Sequence, residues 1–409
     1  MSVLPFADAR QIVEAHARCL QPVGMETVPL LEAGNRVLSE PLLADRDLPP
    51  FSRSIRDGYA VQSRDLASLP VRLRVVGEIR AGTAPERMLC LHPGEIAEIM
   101  TGAPLPAGAD AVVMIEHTDR ECDLVLIKQG VSPGENVVPR GAEAKLGDRL
   151  LAPGTRVDYS ALGLAASVGR ADLRVYAKPR VAILVTGDEL VEITAVPGPH
   201  QIRNSNSYSL ATQVAAAGAN AHVLPVAPDE PDGLHRSIAQ GLSFDLLLIT
   251  GGVSVGKYDL VERVLAEMKA EFFFTGTYIQ PGRPIVFGGV PSTTGNAKMF
   301  FGLPGNPIST MVTFELFVRP VLEALGGAEI RPLLFHQVIL QSEVKTKTGL
   351  TRFLPARLTG QFEQLQVELI PWRGSGDIAA AAQANCYLVV PPDREWIKAG
   401  ERVSILLKK

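Results

Sequence analysis

The chain has 409 residues, too many for one ordinary core, so two to four domains are expected. Its 46% hydrophobic and 21% charged residues are those of a globular protein, and 37 Gly with 31 Pro imply many turns, which excludes a disordered chain. A net charge of −4 without a basic stripe excludes the electrostatic footprint of a nucleic-acid binder, and no apolar run nears the roughly 20 residues that span a bilayer.

The opening residues Met1–Leu20 carry Asp8, Arg10, Glu14 and Arg18 in a helical pattern in place of a signal peptide, so a cytoplasmic location is expected. Phe6, Ile12, Val13 and Leu20 fall on one helical face, and 28–31 and 37–43 read as short extended segments around Gly34. From Asp47 the texture changes to short apolar runs between Pro and Gly, at 71–76, 95–100, 111–116 and 124–128, which is a β-rich region ending near Arg140. A helical pattern returns around 155–168.

After Lys178-Pro179, candidate strands at 181–186, 222–227, 244–250, 272–279 and 299–303 alternate with candidate helices at 205–217, 232–242, 258–269 and 307–325. Such alternation predicts a mostly parallel, doubly wound sheet. Beyond Gly326-Gly327 the helices are expected to stop, and runs at 333–343, 349–358, 365–371, 387–390 and 402–407 predict a separate β domain.

In an open α/β sheet, ligands sit at the carboxyl ends of the strands, where loops feed helix N-termini. The first of these loops is Thr186-Gly187-Asp188-Glu189-Leu190, whose two acids suit a metal or ligand-recognition point, or a solvated turn. The second is Gly251-Gly252-Val253-Ser254-Val255-Gly256-Lys257-Tyr258-Asp259, whose glycines let backbone N–H groups approach an anion. It nearly matches a Walker A loop, but Tyr258 occupies the place of the Mg²⁺-binding hydroxyl. Asp259 opens the next helix, where a carboxylate also complements the dipole. In Pro304-Gly305-Asn306-Pro307, Asn306 suits an N-cap and Pro307 the first helical position. Between these loops, Gln280-Pro281-Gly282-Arg283 presents a guanidinium fork suited to an oxyanion.

The four cysteines and seven histidines are scattered without ligand spacing, so neither a zinc site nor a disulfide framework is expected.

Taken together, LPPF at 48–51 with DGYAV at 57–61, MTGAPLPAGAD at 100–110, PGEN at 133–136, TGDEL at 186–190, TGGVSVG at 250–256 with Asp259, and GLPGNP at 302–307 resemble the molybdopterin molybdenumtransferase family, the MoeA proteins and gephyrin E domains, over the whole chain. The resemblance implies a MogA-like doubly wound pterin-binding domain at 178–328, an inserted β domain at 47–144, an elongated connecting domain from 1–46 and 145–177, and a β-barrel-like domain at 329–409. It implies insertion of molybdate into adenylyl-molybdopterin, with Mg²⁺ as cofactor and molybdate as substrate. A homodimer with composite sites and a molybdopterin adenylyltransferase partner also follow from it. The rival readings are the adenylyltransferase itself, which shares only the α/β domain, and a noncatalytic dimeric scaffold.

Carried over by position, the resemblance assigns catalysis to Asp57, Thr101, Glu189 and Asp259, with Glu189 and Asp259 also holding the metal. Gly251, Gly252, Ser254, Gly256, Asp229, Pro304, Pro307, Arg140 and Glu143 bind substrate, while Arg283, Gln280, Ser309, Ser375 and Arg352 hold molybdate. The departures are Arg140-Gly141-Ala142-Glu143 for the family's Arg-Gly-Glu-Asp segment, Gln280-Pro281-Gly282-Arg283 for its Lys-Pro-Gly-Lys turn, in which Glu143 and Arg283 keep their charge signs and Gln280 loses one, and Leu354-Pro355 after Phe353, which leaves Arg352 or Arg357 to replace an arginine. On this reading Gln280→Lys restores a missing charge.

Overall fold

The computed structural model describes residues 2–84, 88–252, 260–292, 297–362 and 364–408. They form two compact units, one of residues 1–39, 154–158 and 173–409, the other of 40–153 and 159–172.

In the smaller unit, a six-stranded sheet runs in the order Ala111–Met114, Gly58–Val61, Glu95–Ile99, Val71–Ile79, Leu124–Ile127, Thr118–Glu121. Alternation along these strands buries Tyr59, Val61, Ile96 and Val113 on one face and Ala60, Ala97, Ile99 and Val112 on the other, so both faces are covered. Gly58 sits where a Cβ would lie 2.0 Å from the Val113 carbonyl oxygen, which fixes glycine at the residue after Asp57.

The larger unit holds two six-stranded sheets. The first has the order Asn220–Val223, Arg180–Val185, Leu246–Thr250, Lys298–Leu303, Val286–Val290, Glu271–Phe274; the first four strands are parallel and the last two antiparallel. Strands Arg180–Val185 and Leu246–Thr250 are buried almost throughout and read as continuous apolar runs, as a sheet covered on both faces requires. Helices Asn206–Ala216, Pro231–Gly241 and Leu260–Glu267 connect the strands. The second sheet joins Phe335–Leu340, Thr351–Thr359, Gln366–Leu369, Cys386–Val390 and Arg402–Leu407 with Ile279–Gln280 at its edge. Among the described residues, no helix is long and apolar enough to cross a membrane.

Several expectations need correction. The run 272–279 is not one strand: Glu271–Phe274 ends the α/β sheet, Gly276–Thr277 pairs with Val3–Leu4, and Ile279–Gln280 joins the C-terminal sheet. Strand Val286–Val290, absent from the expected set, carries Gly288-Gly289 in its interior. A Cβ on Gly288 would lie 2.4 Å from the Glu271 oxygen, so the glycine serves a close strand approach. Leu30–Glu32 is a 3₁₀ turn rather than extended, and a helix, Ile378–Gln383, does occur in the C-terminal region. The helix expected at 307–325 contains a π turn at Phe314–Val318, just before Pro320. Proline has no N–H for the regular i→i−4 ladder, and a π turn breaks that ladder at the same point.

Candidate functional site

The chain order reverses between strands Arg180–Val185 and Leu246–Thr250: the connection from the first runs to one side, and later strands add on the other. This topological switch point is where doubly wound sheets open a ligand crevice. Its two lips are Thr186–Glu189 and Gly251-Gly252, joined by the Thr186 N–H donating to the Thr250 oxygen at 3.0 Å. Gly251 has φ +94°, and a Cβ there would meet the Thr186 carbonyl oxygen at 2.2 Å. The backbone of Gly251 is therefore held against the first lip with no room for a side chain.

A buried hydrogen-bond hub ties in the third loop. Thr250 Oγ1 donates to the Pro304 oxygen at 3.0 Å, while Asn206 Nδ2 donates to Thr250 Oγ1 at 3.1 Å and to the Gly305 oxygen at 2.8 Å. Thr310 Oγ1 donates to the Pro304 and Asn306 oxygens. Low surrounding dielectric strengthens such bonds and penalises loss of any partner, so the three strand-end loops act as one frame. Asn206, Thr250 and Thr310 went unread as site residues, since polar residues near strand and helix ends are indistinguishable from caps in sequence.

Asp188, Glu189 and Asp229 gather at the first lip. The Asp229 N–H donates to Asp188 Oδ1 at 3.4 Å, and burial followed by the charges of Asp188 and Glu189 pushes the Asp229 carboxyl above the ordinary range. Glu189 folds back over Gly187, where a Cβ would lie 2.6 Å from its Oε2. Among the described residues no three Asp, Glu, His or Cys side chains converge as a complete metal cage. Crowded hard oxygens relieved by a divalent cation do fit Mg²⁺ shared with substrate phosphates, which takes one or two carboxylates rather than a cage. The expected roles of Ser254, Gly256 and Asp259 lie outside the described residues.

Beside this crevice a cavity of about 500 Å³ is lined by Gln280, Arg283, Pro304, Asn306, Ser309 and Ser375, among others. Four of the five residues assigned to molybdate thus line one cavity. The fifth, Arg352, is buried just behind it and donates from Nε to Gln280 Oε1 at 2.8 Å and from Nη1 to the Leu350 oxygen at 3.2 Å. Burial pulls its pKa down, and neither hydrogen-bond acceptor carries a charge. Arg357 instead lies exposed near the Gln383 oxygen. Asn306 does not cap its helix with its side chain, contrary to expectation. Its Nδ2 donates to Ser375 Oγ at 2.9 Å, and the Ser375 carbonyl accepts the Ile308 N–H at 3.0 Å.

In the smaller unit, Thr101 donates its N–H at 2.6 Å and its hydroxyl at 2.9 Å to Asp57 Oδ1, and those two bonds hold the Asp57 carboxyl below the ordinary range. Arg140 pairs with Asp47 at 2.9 Å and Glu143 with Arg53 at 3.1 Å; all four charges lie near the surface of this unit.

The sequence matches the models of three regions: the MoeA N-terminal region (domain I and II) over residues 4–169, the probable molybdopterin binding domain over 182–324, and the MoeA C-terminal region (domain IV) over 337–408. It is 35% identical to a molybdopterin molybdenumtransferase of Nostoc sp. over 93% of this chain and 88% of that one, and 34% identical to one of Synechococcus elongatus over 98% and 99%. A solved structure of a molybdopterin biosynthesis MoeA protein from Pyrococcus horikoshii superimposes with a TM-score of 0.80 at 28% identity, with all of both chains covered. With matches that run nearly end to end, over a fold that opens a switch-point crevice, the chain belongs to the molybdopterin molybdenumtransferase family.

Proposed function

We propose that this molybdenum-cofactor biosynthesis protein binds adenylyl-molybdopterin across the switch-point crevice and inserts molybdate into it, with release of AMP. The observation that supports this most is the pairing of two recognition elements on one sheet edge: glycine backbone and acids on one side, a cavity rich in donors on the other. Gly251 and Gly252 offer backbone to an anionic substrate that no residue with a Cβ would allow so close. Mg²⁺, when bound beside Glu189 and Asp229, would neutralise substrate phosphate charge. Asp229 and Glu189 supply its hard oxygens from the protein.

In the cavity, Arg283 presents its fork and Ser309 its hydroxyl. The Ser375 oxygen already accepts from Asn306, so its own proton is free to donate to an oxyanion. Holding the oxyanion next to the pterin makes insertion a reaction between neighbours, which is the main contribution available to a site without a nucleophile. Asp57, fixed by Thr101, completes the site from the second subunit of a cytoplasmic homodimer.

The test is AMP release from purified protein supplied with adenylyl-molybdopterin and Mg²⁺, with and without molybdate. Release that requires molybdate and fails with chelator is expected; release indifferent to molybdate would sink the proposal.

A further inference from the structure

A second cavity of about 630 Å³ opens in the larger unit, lined by the C-terminal turn of helix Asn206–Ala216, the end of the 307–325 helix, the 328–334 connection and the end of strand Arg402–Leu407. It shares no lining residue with the oxyanion cavity. Its size falls within the range of small-molecule sites.

Its charge is unlike that of the whole chain, which is −4. The lining contains Arg10, Arg156, Arg319, Arg331 and Lys408 against Glu315, Glu323 and Glu329, an excess of two positive charges with His336 neutral. Glu14, outside the lining, pairs with Arg10. Arg156 donates to the Asn35 carbonyl at 2.9 Å and makes no ion pair among the described residues. Burial holds its pKa down, Glu323 opposes this, and Arg319 and Arg331, which line the same cavity, add to it. Arg331 makes no hydrogen bond or ion pair among the described residues. Arg319 is nine-tenths buried and directs both Nε and Nη2 at one oxygen, Glu315 Oε2, each at 2.7 Å. The second approach is not aligned as a hydrogen bond, and Nη2 is left without an acceptor. Buried donors without acceptors are uncommon and costly in folded proteins.

The remaining walls are apolar. Pro320, Pro332, Leu333 and Leu406 line the cavity, and Leu334 is 66% exposed beside them.

We infer that this cavity is a binding site for a small organic phosphate monoester with an apolar body, separate from the pterin and oxyanion sites. A phosphomonoester presents three acceptor oxygens to the forks of Arg156 and Arg331, neither of which pairs with a carboxylate among the described residues, whereas a carboxylate presents two. Guanidinium forks suit its oxygens, and the leucine and proline walls suit the body.

The test is calorimetric titration of the full chain with phenyl phosphate, inorganic phosphate and benzoate at low ionic strength. Wild type, Arg156→Met, Arg331→Gln and Arg283→Ala are compared; Arg331 is exposed, so its variant tests the site even if Arg156→Met misfolds. Phenyl phosphate is expected to bind saturably and more tightly than either other probe. Affinity should fall about tenfold or more in Arg156→Met and Arg331→Gln, remain as it was in Arg283→Ala, and weaken with salt. No saturable binding, binding indifferent to Arg331→Gln, or loss through Arg283→Ala would overturn the assignment. Tighter benzoate binding would overturn the phosphate class, and equal binding of inorganic phosphate would overturn the apolar body.

Discussion

The crevice at Thr186–Glu189 and the cavity under the Gln280–Arg283 turn share the 304–306 loop, yet their charges are opposite. At the crevice Asp229 feels the charges of Asp188 and Glu189 and, with partial burial, holds its proton more tightly than an ordinary carboxyl. At the cavity Arg283 lines the wall and Arg352 is buried behind it with only neutral acceptors in its hydrogen bonds. Each half is unfavourable alone, and each is relieved by the opposite ligand: a divalent cation at the first, an oxyanion at the second. The contrast teaches that uncompensated charges lining a site indicate the sign of what it binds.

Rigidity of the shared frame is the part of this comparison with the largest expected effect. Gly251→Ala places a Cβ against the Thr186 carbonyl in a left-handed backbone, so unfolding free energy should fall by more than about 3 kcal/mol in chemical denaturation. An unchanged midpoint would mean that the lips move freely, and that the two halves are not held in register.

The oxyanion-binding half is sharpened by Arg283→Ala, which removes a charged donor worth about 1.5–3 kcal/mol and should raise the half-saturating molybdate concentration by about 10- to 150-fold. Equal molybdate dependence in the variant would remove Arg283 from the oxyanion site. A smaller effect is expected at Gln280, and its sign is reversed from the reading of sequence alone. Because Gln280 Oε1 accepts from Arg352, Gln280→Lys sets two cations against each other and deletes a charge-assisted hydrogen bond worth about 1.5–3 kcal/mol. Molybdate affinity should then stay level or fall about fivefold, and a clear gain would show that Arg352 does not already supply the charge.

The smallest effect concerns the cation-binding half. Asp229 has a raised pKa in the folded state, so folding favours its protonated form, and the cost of its charge appears as pH rises through the ordinary carboxylate range. Asp229→Asn should therefore raise the melting midpoint by about 1–2 °C at neutral pH and not at all well below that range. Added Mg²⁺ should shrink the gain; a gain of the same size at every pH would point to packing instead.

Much of this was legible in the sequence because glycines at strand ends declare themselves. Gly251 and Gly252 sit where backbone contact demands them, and the doubly wound pattern follows from buried apolar strands alternating with helices. What escaped were features set by partners distant in the chain. Gly288 looks like a turn until the Glu271 backbone is seen beside it, and Asn306 looks like a cap until Ser375 offers a better partner. Arg352 has no local signal at all, since its meaning depends on the pairing of Ile279–Gln280 with Thr351-Arg352. Local chemistry was readable, whereas the occupants of a shared space were not.

The π turn at Phe314–Val318 also sets an angular phase. It carries one more residue than an α turn, so residues beyond it are rotated by about 100° relative to an uninterrupted helix. Ser309, before the turn, lines the oxyanion cavity, and Arg319, after it, lines the other. Removing one residue within the turn would leave Ser309 where it is and turn Arg319 by about 100° about the helix axis, so the two cavities at the ends of this rod are separable by a single-residue deletion.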